Sequence, residues 1–228
     1  MAERFICRAV LFDLDGTLAD TAVDLGGAVN RLLAESGRPA LPLEALRPYV
    51  SQGVRGLLRK AYGSEPDDPG HAALSDRFLV LYENHICDES TLFPGMVETL
   101  LAIEQASLPW GIVTNKRSRF TGPVMAGLGL STRAACQVSG DTTPEPKPSP
   151  MPILHACQLV GVDPRHSLYI GDDQRDIEAG RAAGCRTVAV RWGYLGDGGP
   201  IESWGADHII DHPADLLPLI SPDGVPTA

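Results

Sequence analysis

Val10-Leu11-Phe12-Asp13-Leu14-Asp15-Gly16-Thr17 decides the reading of this 228-residue chain. The run from Phe5 to Phe12 is short, mostly apolar and ends abruptly in acid. A strand buried on both faces of a parallel sheet reads this way. In extended backbone, residues two apart point the same way, so Asp13 and Asp15 face one site while Leu14 faces away. Two carboxylates that close repel, and a divalent cation or a shared proton relieves them. Gly16 lets the chain turn sharply, and Thr17 can donate back to a carboxylate. A plain polar turn would use the same residues, so their meaning depends on what lies further along.

Similar apolar runs recur at Trp110–Val113, 167–170, 187–190 and His208–Ile210, with 136–139 a weaker one. Helical spacing fills the intervals: Val97, Leu100 and Leu101, then Val124 and Leu128, then Ile153, Leu154 and Cys157. Gly129 and Gly161 stand where C-terminal caps belong. Strand and helix alternate, which predicts an α/β fold with a parallel sheet covered on both faces. One stretch breaks the alternation. Residues 19–90 hold no convincing strand, only helical faces such as Leu25, Val29, Leu32 and Leu33, closed by Gly37 and Pro39. A second face, Leu74, Phe78, Leu81 and His85, is introduced by Asp68 as N-cap and Pro69 at the first helical position. This block is expected to be a smaller inserted domain, hinged near 18–21 and 90–94. The Pro-rich piece 143–152 reads as a loop whose following helix starts at Pro150 after Ser149, and the tail after Ile220 as frayed.

A second acidic cluster, Gly171-Asp172-Asp173-Gln174-Arg175-Asp176, again follows an apolar strand. One acid at a helix N-terminus serves the macrodipole; three in five residues exceed that need. Joined to Asp13 and Asp15, it makes a site rich in oxygen ligands and free of thiol or imidazole, which selects Mg2+. Thr114-Asn115-Lys116 ends the strand at Val113 and supplies a hydroxyl and backbone amides. Lys147 lies in the Pro-rich loop, and only three of the nineteen basic residues are lysines. Its ammonium suits an anion.

Composition narrows the function. Hydrophobic residues at 43% support a buried core, and no run is long enough to span a bilayer. A net charge of −10 argues against nucleic acid and anionic membranes as partners. Five scattered cysteines have neither zinc-site nor disulfide spacing, and the N-terminus lacks a signal-peptide pattern, so a cytoplasmic location is expected.

In order, spacing and strand-end context these elements resemble the haloacid dehalogenase (HAD) superfamily of phosphohydrolases. Asp13-Leu14-Asp15-Gly16-Thr17 matches its first motif, Thr114 its second, Lys147 its third, and Gly171-Asp172 with Asp176 its fourth. The resemblance implies a doubly wound, Rossmann-like core from residues 1–18 and 91–228, with a small helical cap from 19–90. It implies that Asp13 is the nucleophile and Asp15 the general acid and base. Lys147 and Thr114 would bind the phosphoryl oxygens, helped by Gly16 and Asn115. Mg2+ would be held by Asp13, Asp15 through its carbonyl, Asp172 and Asp176. Within the superfamily the chain resembles phosphoglycolate phosphatases, and also their relatives that dephosphorylate N-acetylmuramic acid 6-phosphate. Val113-Thr114-Asn115-Lys116, Arg191-Trp192-Gly193-Tyr194 and Trp204-Gly205-Ala206-Asp207 carry that closer likeness. Arg117 and Gln52 depart from the usual pattern, which leaves the leaving group open.

The partner implied is a small phosphorylated metabolite, met by a monomer or homodimer. Substrate selection falls to the cap, where Gln52, Gly53 and Arg55 are candidates and Arg55 can pair a substrate carboxylate. Asp15 argues against a dehalogenase, which needs no acid there. A β-phosphoglucomutase-like mutase keeps all four motifs and stays open. A silent binding protein would lack some of these groups, and a thiol redox sensor would pair its cysteines.

Overall fold

The computed structural model describes residues 5–196 and 199–220. The strands are β1 (Ala9–Phe12), β2 (Ala19–Asp20), β3 (Thr91–Leu92), β4 (Trp110–Val113), β5 (Cys136–Val138), β6 (Ser167–Gly171), β7 (Arg186–Val190) and β8 (His208–Ile210). The helices are α1 (Ala22–Glu35), α2 (Leu43–Leu46), α3 (Gly53–Tyr62), α4 (His71–Glu83), α5 (Met96–Gln105), α6 (Ser118–Gly127), α7 (Met151–Val160), α8 (Gln174–Ala183) and α9 (Leu217–Ile220). Six strands form one parallel sheet in the order β5-β4-β1-β6-β7-β8. The α/β expectation, with its doubly wound parallel sheet, holds.

β1 is central because every side chain in it is apolar and fully buried. Val10 and Phe12 pack on one face with Met96, Leu100 and Ile103 of α5, while Leu11 packs on the other with Ile153 and Cys157 of α7 and Ala179 of α8. Period-two alternation with both faces apolar is what helices on both sides require. The chain fills the β4 side of β1 first and then crosses to the β6 side. Ligands of open α/β sheets bind outside the strands' carboxyl ends at such a reversal.

Several local expectations need correction. Residues 19–90 are not free of strand: β2 pairs antiparallel with β3, Ala19 opposite Leu92 and Asp20 opposite Thr91. Two residues are too few for a periodic signal. α4 begins at His71, not Pro69, because Gly70 takes a left-handed φ of 89° and Asp68 spends its carboxylate on the Glu65 N–H at 2.7 Å. Likewise α7 starts at Met151, with Pro150 as its N-cap. Val97 and Leu101 of α5 and Leu154 of α7 point to solvent; Met96 and Ile103 complete the α5 face instead. The tail after Ile220 lies outside the described residues.

Two anchors hold the helical segment at its chain crossings. Asp24, buried in the first turn of α1, accepts from Glu89 N (3.0 Å), Ser90 N (2.9 Å) and Ser90 Oγ (2.5 Å). Asp20 accepts Arg47 through both guanidinium nitrogens (3.0 and 2.9 Å) and the Tyr194 hydroxyl at 2.7 Å. That hydroxyl in turn accepts from Thr21 N and Ala22 N, 2.8 and 2.9 Å away, at the start of α1. Replacing Asp24 with Ala strands the two buried donors of Ser90, each costing about 1–3 kcal/mol when nothing replaces the acceptor. A thermal melt should show Asp24→Ala losing several degrees, at roughly 2–4 °C per kcal/mol for a chain of this size. An unchanged midpoint would show that the anchor adds nothing.

Candidate active site

The site forms where β1, β4 and β6 end. Gly16 follows β1 with a left-handed φ of 87°, and a Cβ there would lie 2.2 Å from Asp172 Oδ2. Only glycine lets the β1 loop come this close to the acid after β6. Gly171 does the same for Asp176, whose Cβ would be 2.3 Å from an added methyl. α8 is held in place by a capping box in which Asp173 accepts the Arg175 N–H and Asp176 Oδ2 accepts the Asp173 N–H at 3.1 Å.

Lys147 is the hub. Its side chain is 3% exposed, and its ammonium donates to Val113 O (3.0 Å), Tyr169 Oη (2.9 Å) and Asp176 Oδ1 (2.6 Å). Those three acceptors use its three N–H bonds. Asp13 Oδ1 lies 2.9 Å from the same nitrogen but takes no well-directed hydrogen bond, so it is paired by charge alone. The Asp13 carboxyl is pushed up to about 7, first by burial and then, against the pull of Lys147, by Asp176 and Asp15. Asp172, fully buried, is raised well above the carboxylate range, first by burial and then by Asp13 and Asp176, against the Tyr194 N–H (2.7 Å) and Thr17 hydroxyl (2.8 Å) it accepts. Burial would lower the Lys147 ammonium, but Asp13 and Asp176 outweigh it and hold it above its ordinary value.

Asp13, Asp172 and Asp176 each offer an oxygen, and these atoms lie within 4.8 Å of one another. Asp15 has its carboxylate elsewhere. Thr21 Oγ1 donates to it at 2.5 Å and Lys116 Nζ sits 3.0 and 3.2 Å from its two oxygens, so only its backbone can turn toward the cluster. The four carboxylates and two ammonium groups leave a formal charge of −2, which one divalent cation cancels. An oxygen-only set with one underbonded carboxylate fits a hard cation.

Thr114, 2% exposed, accepts the Lys116 N–H at 3.2 Å and lines the cavity above the cluster. The side chain of Asn115 is committed differently from the expected phosphate contact. Its Nδ2 donates to Lys147 O and its Oδ1 accepts Lys147 N, both at 2.9 Å, so it clamps the loop that carries the ammonium. Only its backbone remains for an anion. The cavity, of ≈550 Å³, opens from Asp13 and Asp15 toward α3 and α4. Gln52, Gly53 and Arg55 all line it, yet Gln52 accepts from Arg59, and the Arg55 side chain is 64% exposed with Glu65 at 3.4 Å.

The sequence reading missed three contributors. Lys116 was visible as a donor, but not as the partner of Asp15, 101 residues away. Tyr169 carries a usable signal, since a tyrosine inside a fully buried strand needs a hydroxyl partner, here Val113 O at 2.9 Å. Arg175 links the helical segment to α8 by donating to Ser51 O at 2.6 Å, while its Nε and Nη2 hold Asp173 at 2.7 and 2.9 Å.

A profile of the haloacid dehalogenase-like hydrolases matches residues 10–190. The chain belongs to that family. An N-acetylmuramic acid 6-phosphate phosphatase of Pseudomonas putida is 44% identical over 213 residues, 93% of this chain and 96% of that one. A phosphoglycolate phosphatase of Xanthomonas campestris pv. campestris is 45% identical over 210 residues, 92% and 94% of the two chains. Both names are those of phosphatases, the enzyme class of this HAD-like chain. A crystal structure of a predicted phosphoglycolate phosphatase from Haemophilus somnus superposes with a TM-score of 0.83 at 28% identity, covering 94% of this chain and 98% of that one.

The raised carboxyls make stability depend on pH. Asp13 and Asp172 bind protons more tightly folded than unfolded, so their stabilisation is complete below the unfolded value of 3.8 and is lost as pH rises through about 7 for Asp13. His208, lowered by burial, works in the opposite direction. Comparing melts with EDTA and with Mg2+ cancels His208. Mg2+ should raise the midpoint more at pH 7.5 than at pH 5.5; equal shifts at both would count against a cation held by these carboxylates.

Proposed function

We propose that the chain is a Mg2+-dependent phosphate monoester hydrolase acting through an aspartyl-phosphate on Asp13. One observation carries the reading: Asp13, Lys147, Asp172 and Asp176, from three separate segments, converge beneath an open cavity. Mg2+ would be held by Asp13, Asp172, Asp176 and the Asp15 carbonyl, and when bound supplies positive charge that offsets repulsion between two anions.

Asp13 attacks phosphorus, the bond to the leaving oxygen breaks, and Asp15 delivers the proton that oxygen needs. Asp15 then takes a proton from water, which attacks the aspartyl-phosphate and returns Asp13 and inorganic phosphate. Lys147 attracts the phosphoryl oxygens by its charge, since its N–H bonds are already taken, and the Thr114 hydroxyl binds them, with backbone amides near Gly16 and Asn115 as further donors. Lys116 and Thr21 keep the Asp15 carboxylate turned away from the cation cluster, toward the leaving group. Residues 19–90 act as the cap over a core of 1–18 and 91–228. The five free thiols suit a reducing, cytoplasmic compartment.

The substrate is a small phosphorylated metabolite. Relatives of similar identity are phosphatases of 2-phosphoglycolate type and of N-acetylmuramic acid 6-phosphate. The cavity of ≈550 Å³ favours the second, because sites of about 300–1,000 Å³ enclose far larger ligands than a two-carbon acid.

The protein should hydrolyse p-nitrophenyl phosphate with Mg2+ and stop on adding EDTA. Asp13→Asn should stay folded and lose at least about a thousandfold in kcat, as loss of a nucleophile does. Normal turnover by that variant would refute covalent catalysis. Asp15→Asn should slow alkyl phosphates by about 100-fold or more and p-nitrophenyl phosphate much less, since only the poor leaving group needs the proton. Equal losses on both would remove the acid role.

A further inference from the structure

We infer that the ring of Tyr82 holds the Lys116 ammonium on Asp15, so that a residue of the helical segment positions the proton donor of the core. This rests on the phosphatase reading above, in which Asp15 protonates the leaving oxygen, and adds to it a positioning residue.

The Lys116 side chain is 7% exposed, and its Nζ lies 3.0 and 3.2 Å from the two oxygens of Asp15. Its main chain is anchored separately, the carbonyl accepting from Gly140 N at 2.8 Å. A flexible four-carbon stem separates that anchor from the ammonium. The cavity beside it is also lined by Asp76 and Asp173, so other acids and open space lie within the same chamber. The main chain alone does not decide which of them the ammonium meets. Tyr82, near the end of α4 and 1% exposed, supplies the missing constraint, because Nζ stands over its ring, 4.8 Å from the centroid. The face of an aromatic ring attracts a cation, and most strongly where water is excluded.

The contact belongs to the ring and not to the hydroxyl. Tyr82 Oη is buried and finds no hydrogen-bond partner among the described residues. The ring is itself held by two others. Phe78, one turn earlier on α4, lies nearly parallel to it with centroids 6.4 Å apart, and Phe120, near the start of α6, tilts against it at 5.4 Å. A ring fixed in this way fixes the cation over it. Asp15 has only one other side-chain partner among the described residues, the Thr21 hydroxyl at 2.5 Å. With Lys116 free to leave, the carboxylate is held from one side and spreads over several orientations. A misplaced acid loses rate steeply, and it loses most on esters whose leaving oxygen needs the proton.

Steady-state kinetics on the full chain with Mg2+ tests this. The quantity read is kcat/KM for alkyl esters, 2-phosphoglycolate and N-acetylmuramate 6-phosphate, divided by kcat/KM for p-nitrophenyl phosphate. Tyr82→Leu should lower that ratio by about 10-fold, the size a desolvated cation–π contact allows. Tyr82→Phe keeps the ring and should keep the ratio. Tyr82→pentafluorophenylalanine keeps the shape but inverts the charge on the ring face, so it should lower the ratio as Tyr82→Leu does, even if the leucine variant folds poorly. In an Asp15→Asn background neither change should lower the ratio further, because the acid is already gone. A pentafluorophenylalanine variant with the wild-type ratio, or a Tyr82→Phe variant that falls as far, would overturn the inference. Either result leaves the phosphatase reading intact, since that reading is judged on chains that keep Tyr82. A wild type that turns over none of the three esters would remove the proposed function and this inference with it.

Discussion

One buried ammonium group holds this site together. Lys147 Nζ has Asp13 and Asp176 within 2.9 and 2.6 Å and also donates to a main-chain carbonyl and a phenol. A buried charge is tolerable only with such partners, because desolvation costs several kcal/mol per ion. The pairing is incomplete on the acid side. Asp172 has no ammonium against it, only Tyr194 N, the Thr17 hydroxyl and a long contact of 3.4 Å from Ser51, and Asp13 has charge without a directed bond. Buried carboxylates without enough positive charge beside them either protonate or take up a cation. Both responses follow from the same shortage of positive charge.

The rest of the core is arranged to deliver these groups to one place. β1 brings Asp13 and Asp15, β6 brings Asp172, the first turn of α8 brings Asp176, and the loop clamped by Asn115 brings Lys147. Glycine at 16 and 171 removes the side chains that would keep those segments apart. The helical segment is tied to the same groups rather than packed loosely above them. Ser51 contacts Asp172 and Tyr194 O, Arg175 donates to Ser51 O, and Tyr194 joins Asp20 to the first residues of α1. Its apolar cluster also includes Phe93, Phe120 and Tyr194 from outside the segment. Movement of that segment would therefore be felt at the acid cluster through hydrogen bonds, not through bulk packing alone.

Two lysines divide three of the four acids between them. Lys147 serves Asp13 and Asp176, and Lys116 serves Asp15 with a tyrosine ring behind it. Carboxylates two residues apart, just beyond the end of β1, thus end in different electrostatic surroundings. Different surroundings are what allow one carboxylate to act as nucleophile and its neighbour to handle protons.

The local pattern of the chain was enough to determine the alternation of strands and helices, the inserted helical stretch and the acids at two strand ends. Those features depend on periodicity and on residue chemistry within a few positions, and the structure returns them with shifts of up to four residues, the largest at β1, which starts at Ala9 and not Phe5. Contacts between distant positions were decided only by the tertiary structure. That Asp15 turns to Lys116, that Asn115 spends its amide on Lys147, and that Tyr194 reaches both Asp172 and Asp20 are pairings across 22 to 174 residues. No local spacing encodes such a pairing, because which side chains meet depends on how the sheet is wound and where the helical segment settles on its edge.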